Sequence, residues 1–205
     1  MTIIKLIYKV LHKINHTISL KYSRYATLFH FIGQSVIYKD FFTTGVPFVR
    51  IQNKTAQMQI DEGFRMNNGM HGNQIGFNTP CTFIAEYGEI KIGKNVGMSQ
   101  TSLVAKHGNI TIGNNCKFGG GVRIYTTDFH SLNYLERRQH ELDMDKAAHG
   151  DVVIGNDCFI GAGSVILKGV TIGDKVIIGA NSVVTKDVKN NCVVAGAPAK
   201  VVREI

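Results

Sequence analysis

From Ile154 the chain can be stepped by six without a miss: Ile154, Ile160, Ile166, Ile172, Ile178 and Val184 are all aliphatic. A second series starting at Cys158 runs through Ser164, Val170, Val176, Ser182 and Val188, all small or β-branched. Gly follows the aliphatic residue at Gly155, Gly161, Gly173 and Gly179. An earlier stretch keeps the same step in another phase, through Ile92, Met98 and Val104 and then Ile112, Phe118 and Ile124. His107-Gly108-Asn109 shifts the register by two between these runs, and the step after Ile124 lands on His130. Upstream the pattern thins to Ile60 and Met66, and to Ile75 and Cys81. A period of six fits neither a helix at about 3.6 nor an alternating strand at two. It fits a coil in which each six-residue stretch makes one short strand and one corner, with the aliphatic residue inside. Gly, Asn and Asp supply the backbone freedom that corners demand. Three such sides close a triangular rung of about 18 residues, and stacked rungs form a parallel β-helix whose core depends on its neighbours.

Other segments break this pattern. In residues 1–20, Ile3, Ile7, Val10, Ile14 and Ile18 recur at helical spacing, with Lys5, Lys9, His12, Lys13 and His16 largely on the other side. That is an amphipathic basic helix. It suits two roles: lying on an anionic membrane face, or covering the open end of the coil, as repeat stacks require. Residues 21–58 read as a linking segment with some strand, which leaves the coil domain to 59–205. Residues 125–151 lose the six-residue step and hold Asp128, Glu136, Arg137, Arg138, Glu141, Asp143 and Asp145. They predict a loop thrown out of the coil, and long loops in compact repeats are more often functional than decorative.

Composition narrows the class. With 205 residues, 44% hydrophobic and 19% charged, the chain suits one globular domain rather than a disordered one. Its 22 glycines lack a three-residue period, which excludes a collagen-like chain. No apolar run reaches the roughly 18 residues of a spanning helix, and no cleavable signal pattern is visible, so the cytoplasm is the expected compartment. Cys81, Cys116, Cys158 and Cys192 form no CxxC pair and read as reduced, buried thiols rather than a zinc ribbon. The net charge of +8 is uneven: Lys5, Lys9, Lys13, Lys21, Arg24 and Lys39 precede the first acid, Asp40. Such a patch suits an anionic surface, and no nucleic-acid reading motif accompanies it.

The run IGNDCFIGAGSVILKGVTIGDKVIIGANSVVTKDV and the closing VVAGAPAKVVREI resemble the hexapeptide-repeat acyltransferases. The likeness covers roughly residues 60–205. The stretch IYTTDFHSLNYLERR is similar to the sugar O-acetyltransferases of surface-polysaccharide clusters, close to the galactoside and maltose enzymes. The resemblance implies a mainly β fold, a left-handed parallel β-helix, whose hand the spacing alone does not give. It also implies a homotrimer with sites at subunit interfaces, acetyl-CoA as co-substrate, a saccharide acceptor and no metal.

Within that resemblance His130, at the start of the protruding loop, matches the general base. A sugar hydroxyl is a weak nucleophile, and a neutral imidazole in hydrogen-bond reach can take its proton as it attacks a thioester. The resulting oxyanion needs a donor, for which Ser99 is the aligned candidate. His107 stands where the galactoside enzymes hold an acceptor-contacting Asp, and Asp128 lies in the same acceptor region. For CoA, the matching positions are Gly119, Phe159, Ala162, Gly179, Ala180, Thr185, Lys186, Lys200 and Arg203, with small residues where the pantetheine arm approaches the backbone. His71, His140 and His149 read as surface histidines.

Other functions share parts of the pattern. An N-acyltransferase on an amino sugar or a xenobiotic acetyltransferase would use the same coil and loop histidine. A serine O-acetyltransferase would carry a longer helical N-terminal domain. A zinc enzyme of the gamma carbonic anhydrase type needs three converging imidazoles, two close in sequence, and the histidines nearest His130 are His107 and His140. A non-catalytic β-helix scaffold has no use for the loop histidine.

Overall fold

The computed structural model describes residues 3–69 and 75–205; His71 lies outside them. A long helix, α1 (Ile3–Gly33), precedes a coil of short parallel strands. Among the described residues the strands stack as six triangular rungs. The first is β1 (Ile37–Tyr38), β2 (Phe41–Thr44) and β3 (Phe48–Ile51). The second is β4 (Gln57–Ile60), β5 (Phe64–Asn67) and β6 (Thr82–Ala85). The third is β7 (Glu89–Ile92), β8 (Gly97–Ser99) and β9 (Ser102–Ala105). The fourth is β10 (Ile110–Ile112), β11 (Lys117–Phe118) and β12 (Arg123–Tyr125). The fifth is β13 (Val152–Ile154), β14 (Phe159–Ile160) and β15 (Val165–Ile166). The sixth is β16 (Thr171–Ile172), β17 (Ile177–Ile178) and β18 (Val183–Val184). Each side of the triangle is a parallel sheet built from every third strand. On one of these sheets β19 (Cys192–Gly196) follows β17 and turns back as the antiparallel β20 (Ala199–Glu204).

The six-step series is the core. Ile154, Ile160, Ile166, Ile172, Ile178 and Val184 are each no more than 1% exposed, and successive rungs pair them, Ile154 with Ile172, Ile160 with Ile178 and Ile166 with Val184. The earlier phase holds with one correction. Leu103, not Val104, is buried and pairs with Ile124. The corner before β9 turns at Gln100 (φ 48°) and is one residue shorter than the corner Gly119–Arg123 of the next rung, so the inward position moves back by one. Ile75 is also displaced: it is exposed, while Cys81 is buried. The four thiols are free and buried, and burial pushes that of Cys81 up to about 12.

The helix runs past residue 20, and the coil begins at Ile37, within the stretch read from sequence as a linker. Residues 21–33 contain no proline and no glycine before Gly33, so nothing stops the helix earlier. It ends in a Schellman motif: Val36 N donates to Phe31 O and Ser35 N to Ile32 O, with Ser35 left-handed at φ 53°. Its last turns cap the first rung. Phe31 is fully buried against Tyr38 and Phe41, with ring centroids 5.6 and 5.0 Å away. Ser23 Oγ accepts from Gly45 N at 2.9 Å, and Gln34 Oε1 accepts from Ile51 N at 2.6 Å. No described helix is long and apolar enough to cross a membrane.

Candidate active site

The loop leaves the coil after β12 and returns at β13. Thr127 and His149 form an antiparallel bridge at its root, where Asp128 N donates to Ala148 O and Gly150 N to Thr126 O, each at 2.9 Å. Lys168, from the next rung, ties the root down with a 2.7 Å ion pair to Asp128. Inside the loop a short 3₁₀ turn (Glu136–Arg138) leads into α2 (His140–Lys146).

That helix brings Asp143 back to His130. His130 Nδ1 and Asp143 Oδ2 are 2.7 Å apart, and Asp143 Oδ1 accepts from Ser131 N at 2.7 Å. The loop is pinned further by Arg137, which donates to Ser131 O at 2.6 Å, and by Ser131 Oγ on Glu136. The His130 hydrogen bond holds the Asp143 carboxyl below the usual carboxylate range; burial opposes this and the Ser131 amide adds to it. An ionised carboxylate only accepts, so in the neutral ring His130 Nδ1 carries the proton and Nε2 holds the lone pair. The His130 side chain is 66% exposed and that of Asp143 only 8%, so the ring presents Nε2 outward while its partner stays shielded. Phe129, just before His130, is left-handed at φ 66° and meets Tyr125 edge-on at 5.4 Å. A bulky residue held in that region is strained, and strain of this kind gathers at functional sites.

Asp143 was not legible as a site residue in the sequence, and neither was Lys168. No spacing rule links Asp143 to a histidine 13 residues earlier; only the fold of the loop does.

Most of the residues singled out from sequence fall on two corners of the coil. His107 sits at the corner from which the loop emerges. Its ring stacks on Tyr87 at 4.6 Å and lies 5.7 Å from His149, beside the loop root. Thr185 and Lys186 follow β18 at that same corner, both exposed. Ser99, Gly119, Ala162, Gly179 and Ala180 gather instead at the preceding corner, one side of the triangle away, roughly 15 Å at about 3.3 Å per residue. Ser99 Oγ accepts from Asn67 Nδ2 at 3.1 Å, on its own side of the triangle. A Cβ on Gly119 would lie 2.6 Å from Ala162 N, and one on Gly179 would lie 2.8 Å from Ala195 Cβ. Stacking of rungs therefore already requires these two glycines. Phe159 projects from β14, half exposed. Lys200 and Arg203 are exposed on β20. Among the described residues no three His, Cys, Asp or Glu side chains are grouped to hold a metal ion.

Comparison with known proteins agrees with this architecture. Residues 151–186 match the family described as bacterial transferase hexapeptide (six repeats). A comparison with curated proteins gives no match. Among solved structures the chain is similar to the polySia specific acetyltransferase NeuO, at 21% identity over 82% of this chain and 85% of that one, with a TM-score of 0.54. It is similar to a maltose O-acetyltransferase from Clostridium difficile 630, at 24% identity over 92% and 87% of the two chains, with a TM-score of 0.50. It is also similar to a point mutant of AntD, an N-acyltransferase from Bacillus cereus in complex with dTDP and coenzyme A, at 18% identity over 84% of each chain, with a TM-score of 0.62. Residues 151–186 thus carry hexapeptide repeats of the bacterial transferase type, and the fold of the chain is the left-handed parallel β-helix.

Proposed function

We propose that this protein is an acetyl-CoA-dependent O-acetyltransferase acting on a sugar hydroxyl, with His130 as general base. The observation that carries the reading is the His130–Asp143 pair, an outward imidazole whose tautomer is fixed by a shielded, ionised carboxylate. Nε2 takes the proton from the sugar hydroxyl as its oxygen attacks the thioester carbonyl of acetyl-CoA. The tetrahedral intermediate then expels the CoA thiolate, which receives that proton from the imidazolium. Asp143 holds the ring and stabilises its transient positive charge. The fold's likeness to solved acyltransferases supports this class of chemistry.

The working form is a homotrimer. The division of the expected site between two corners of one chain supports it: a second copy, set corner to corner, would place the Gly119–Ala162–Ala180 edge beside the partner's loop. A cyclic, head-to-tail interface is the arrangement that closes such a ring. In this reading the pantetheine arm lies along the small-residue edge, and Lys186, Lys200 and Arg203 meet the phosphates. His107 and Asp128 contact the saccharide.

The test is release of CoA thiol from acetyl-CoA with a panel of sugars, nucleotide sugars, amino sugars and lipid-linked oligosaccharides. The expected result is acceptor-dependent release that falls about 100-fold or more in His130→Ala, with CoA affinity retained. Near-normal turnover in that variant would overturn the assignment. Release with amino sugars alone would move it to N-acylation.

A further inference from the structure

More than half of α1 is exposed. Its buried residues, Ser23, Thr27 and Phe31, recur every fourth position and so share one face. Every residue from Ile3 to Ser19 is exposed. At about 1.5 Å per residue the helix is roughly 46 Å long, and its first half runs beyond the contacts that cap the coil. Helical segments in proteins owe most of their stability to packing of an apolar face, so the exposed half calls for a partner.

The apolar face runs from Ile3 to Ile18 and resumes at Ile32, with Lys21 on the same line between them. Ile3, Ile7, Val10, Ile14, Ile18 and Ile32 are between 50% and 76% exposed. Taken at 3.6 residues per turn, this stripe lies roughly 150° round from the face of Ser23, Thr27 and Phe31. It therefore points away from the first rung, and a flat surface approaching that end meets the stripe first. Tyr25 and Phe29, both exposed, continue it over the capping turns; aromatic side chains of this kind favour the membrane–water interface.

Charge decides between occupants. The helix carries Lys5, Lys9, Lys13, Lys21 and Arg24 and no Asp or Glu. Packing several copies of it together would gather cations with no acid to offset them. An anionic bilayer supplies the missing sign, and its surface potential reaches about a Debye length, far enough to act across the helix on Lys5, Lys9 and Lys13 on the opposite face.

We infer that α1 lays this stripe on an anionic lipid bilayer, with its apolar side chains at the acyl boundary and the β-helix standing on the opposite face. This surface is separate from the loop and its histidine, and the inference does not rest on the proposed activity.

The experiment is flotation of the full chain with vesicles of phosphatidylcholine containing one third phosphatidylglycerol, against phosphatidylcholine alone. Binding to the anionic vesicles is expected to be about tenfold tighter or more, and to weaken with salt. The variant Ile7→Asp/Ile14→Asp and the variant Lys5→Gln/Lys9→Gln/Lys13→Gln should each lose at least about tenfold. Both should melt as the wild type does, because none of these side chains packs on the coil. Equal binding to both vesicles, or full binding by the stripe variant, would overturn the inference. So would binding to neither; if the stripe variant then also sediments as a smaller species, the occupant is a second copy of this chain.

Discussion

Replacing Asp143 with Asn perturbs the candidate site at its narrowest point. In the native loop one carboxylate oxygen lies 2.7 Å from His130 Nδ1 and the other accepts from Ser131 N at 2.7 Å. Asparagine keeps one accepting oxygen and gains two donors. The buried Ser131 amide claims the oxygen, since leaving that donor unpaired costs about 1–3 kcal/mol. The NH₂ group then faces Nδ1, and the imidazole answers by moving its proton to Nε2. The lone pair needed to accept the hydroxyl proton is lost. Relative to the wild type, the active tautomer has lost its hydrogen bond to a charged group, worth about 1.5–3 kcal/mol. At ~1.36 kcal/mol per decade that is roughly a 10- to 150-fold fall in kcat. The assay is acceptor-dependent CoA release with kcat and KM resolved separately. Asp143→Asn should lower kcat, leave KM for acetyl-CoA unchanged, and melt near the wild-type temperature because the Ser131 contact survives. Wild-type kcat, or a loss confined to KM for acetyl-CoA, would refute the positioning role.

Three further outcomes concern the cap, the stacking of rungs and the loop. Thr27 Oγ1 is buried with no hydrogen-bond partner among the described residues, so Thr27→Val should stabilise the cap, by up to about 1–3 kcal/mol in thermal or denaturant unfolding; a lower Tm would contradict the packing of α1. Gly119→Ala would press a methyl group to 2.6 Å from Ala162 N, and should cost about 1–3 kcal/mol on the same measurement by forcing the rungs apart; an unchanged Tm would contradict the stacking. The folded-state pKa of Asp143 is depressed, so its stabilising contribution is present above the ordinary carboxylate value of about 3.9 and is lost as pH falls through the lower folded value. Hydrogen exchange across residues 127–149 should therefore not loosen between about pH 8 and pH 5, after correction for intrinsic rates, and should loosen only in stronger acid; loosening near neutrality would contradict the role of the Asp143 carboxylate in holding the loop.

The later rungs were legible because a period of six has no competitor: only a three-sided coil buries every sixth residue, and Ile154 through Val184 obey it without interruption. Legibility failed where corners change length. One residue fewer around Gln100 exchanges Leu103 for Val104 at the inward position. The first rung was hidden and the second only thinly marked, by Ile60, Met66 and Cys81, because long corners and the excursion between β5 and β6 separate their strands. The second half of α1 was hidden for another reason. The face it buries is Ser23, Thr27 and Phe31, mostly small and polar, while its apolar face looks outward, so the sequence reads as mixed patches. At the site, His130 stands out because it falls where the six-step series breaks into the loop. Asp143 does not, since its place beside His130 is made by a loop helix rather than by any regular spacing.

The central claim, that His130 acts at a site completed by a second copy, is tested most directly by mixing two inactive variants. One carries His130→Ala; the other carries Ala162→Trp, which fills the small-residue edge and leaves His130 in place. Each homotrimer should be inactive in acceptor-dependent CoA release. Co-refolded in equal amounts, three in four trimers would be mixed and each mixed trimer would hold one intact site, so activity should return to about a quarter of wild type. Mixtures that stay inactive, although heterotrimers form, would contradict a site shared between copies.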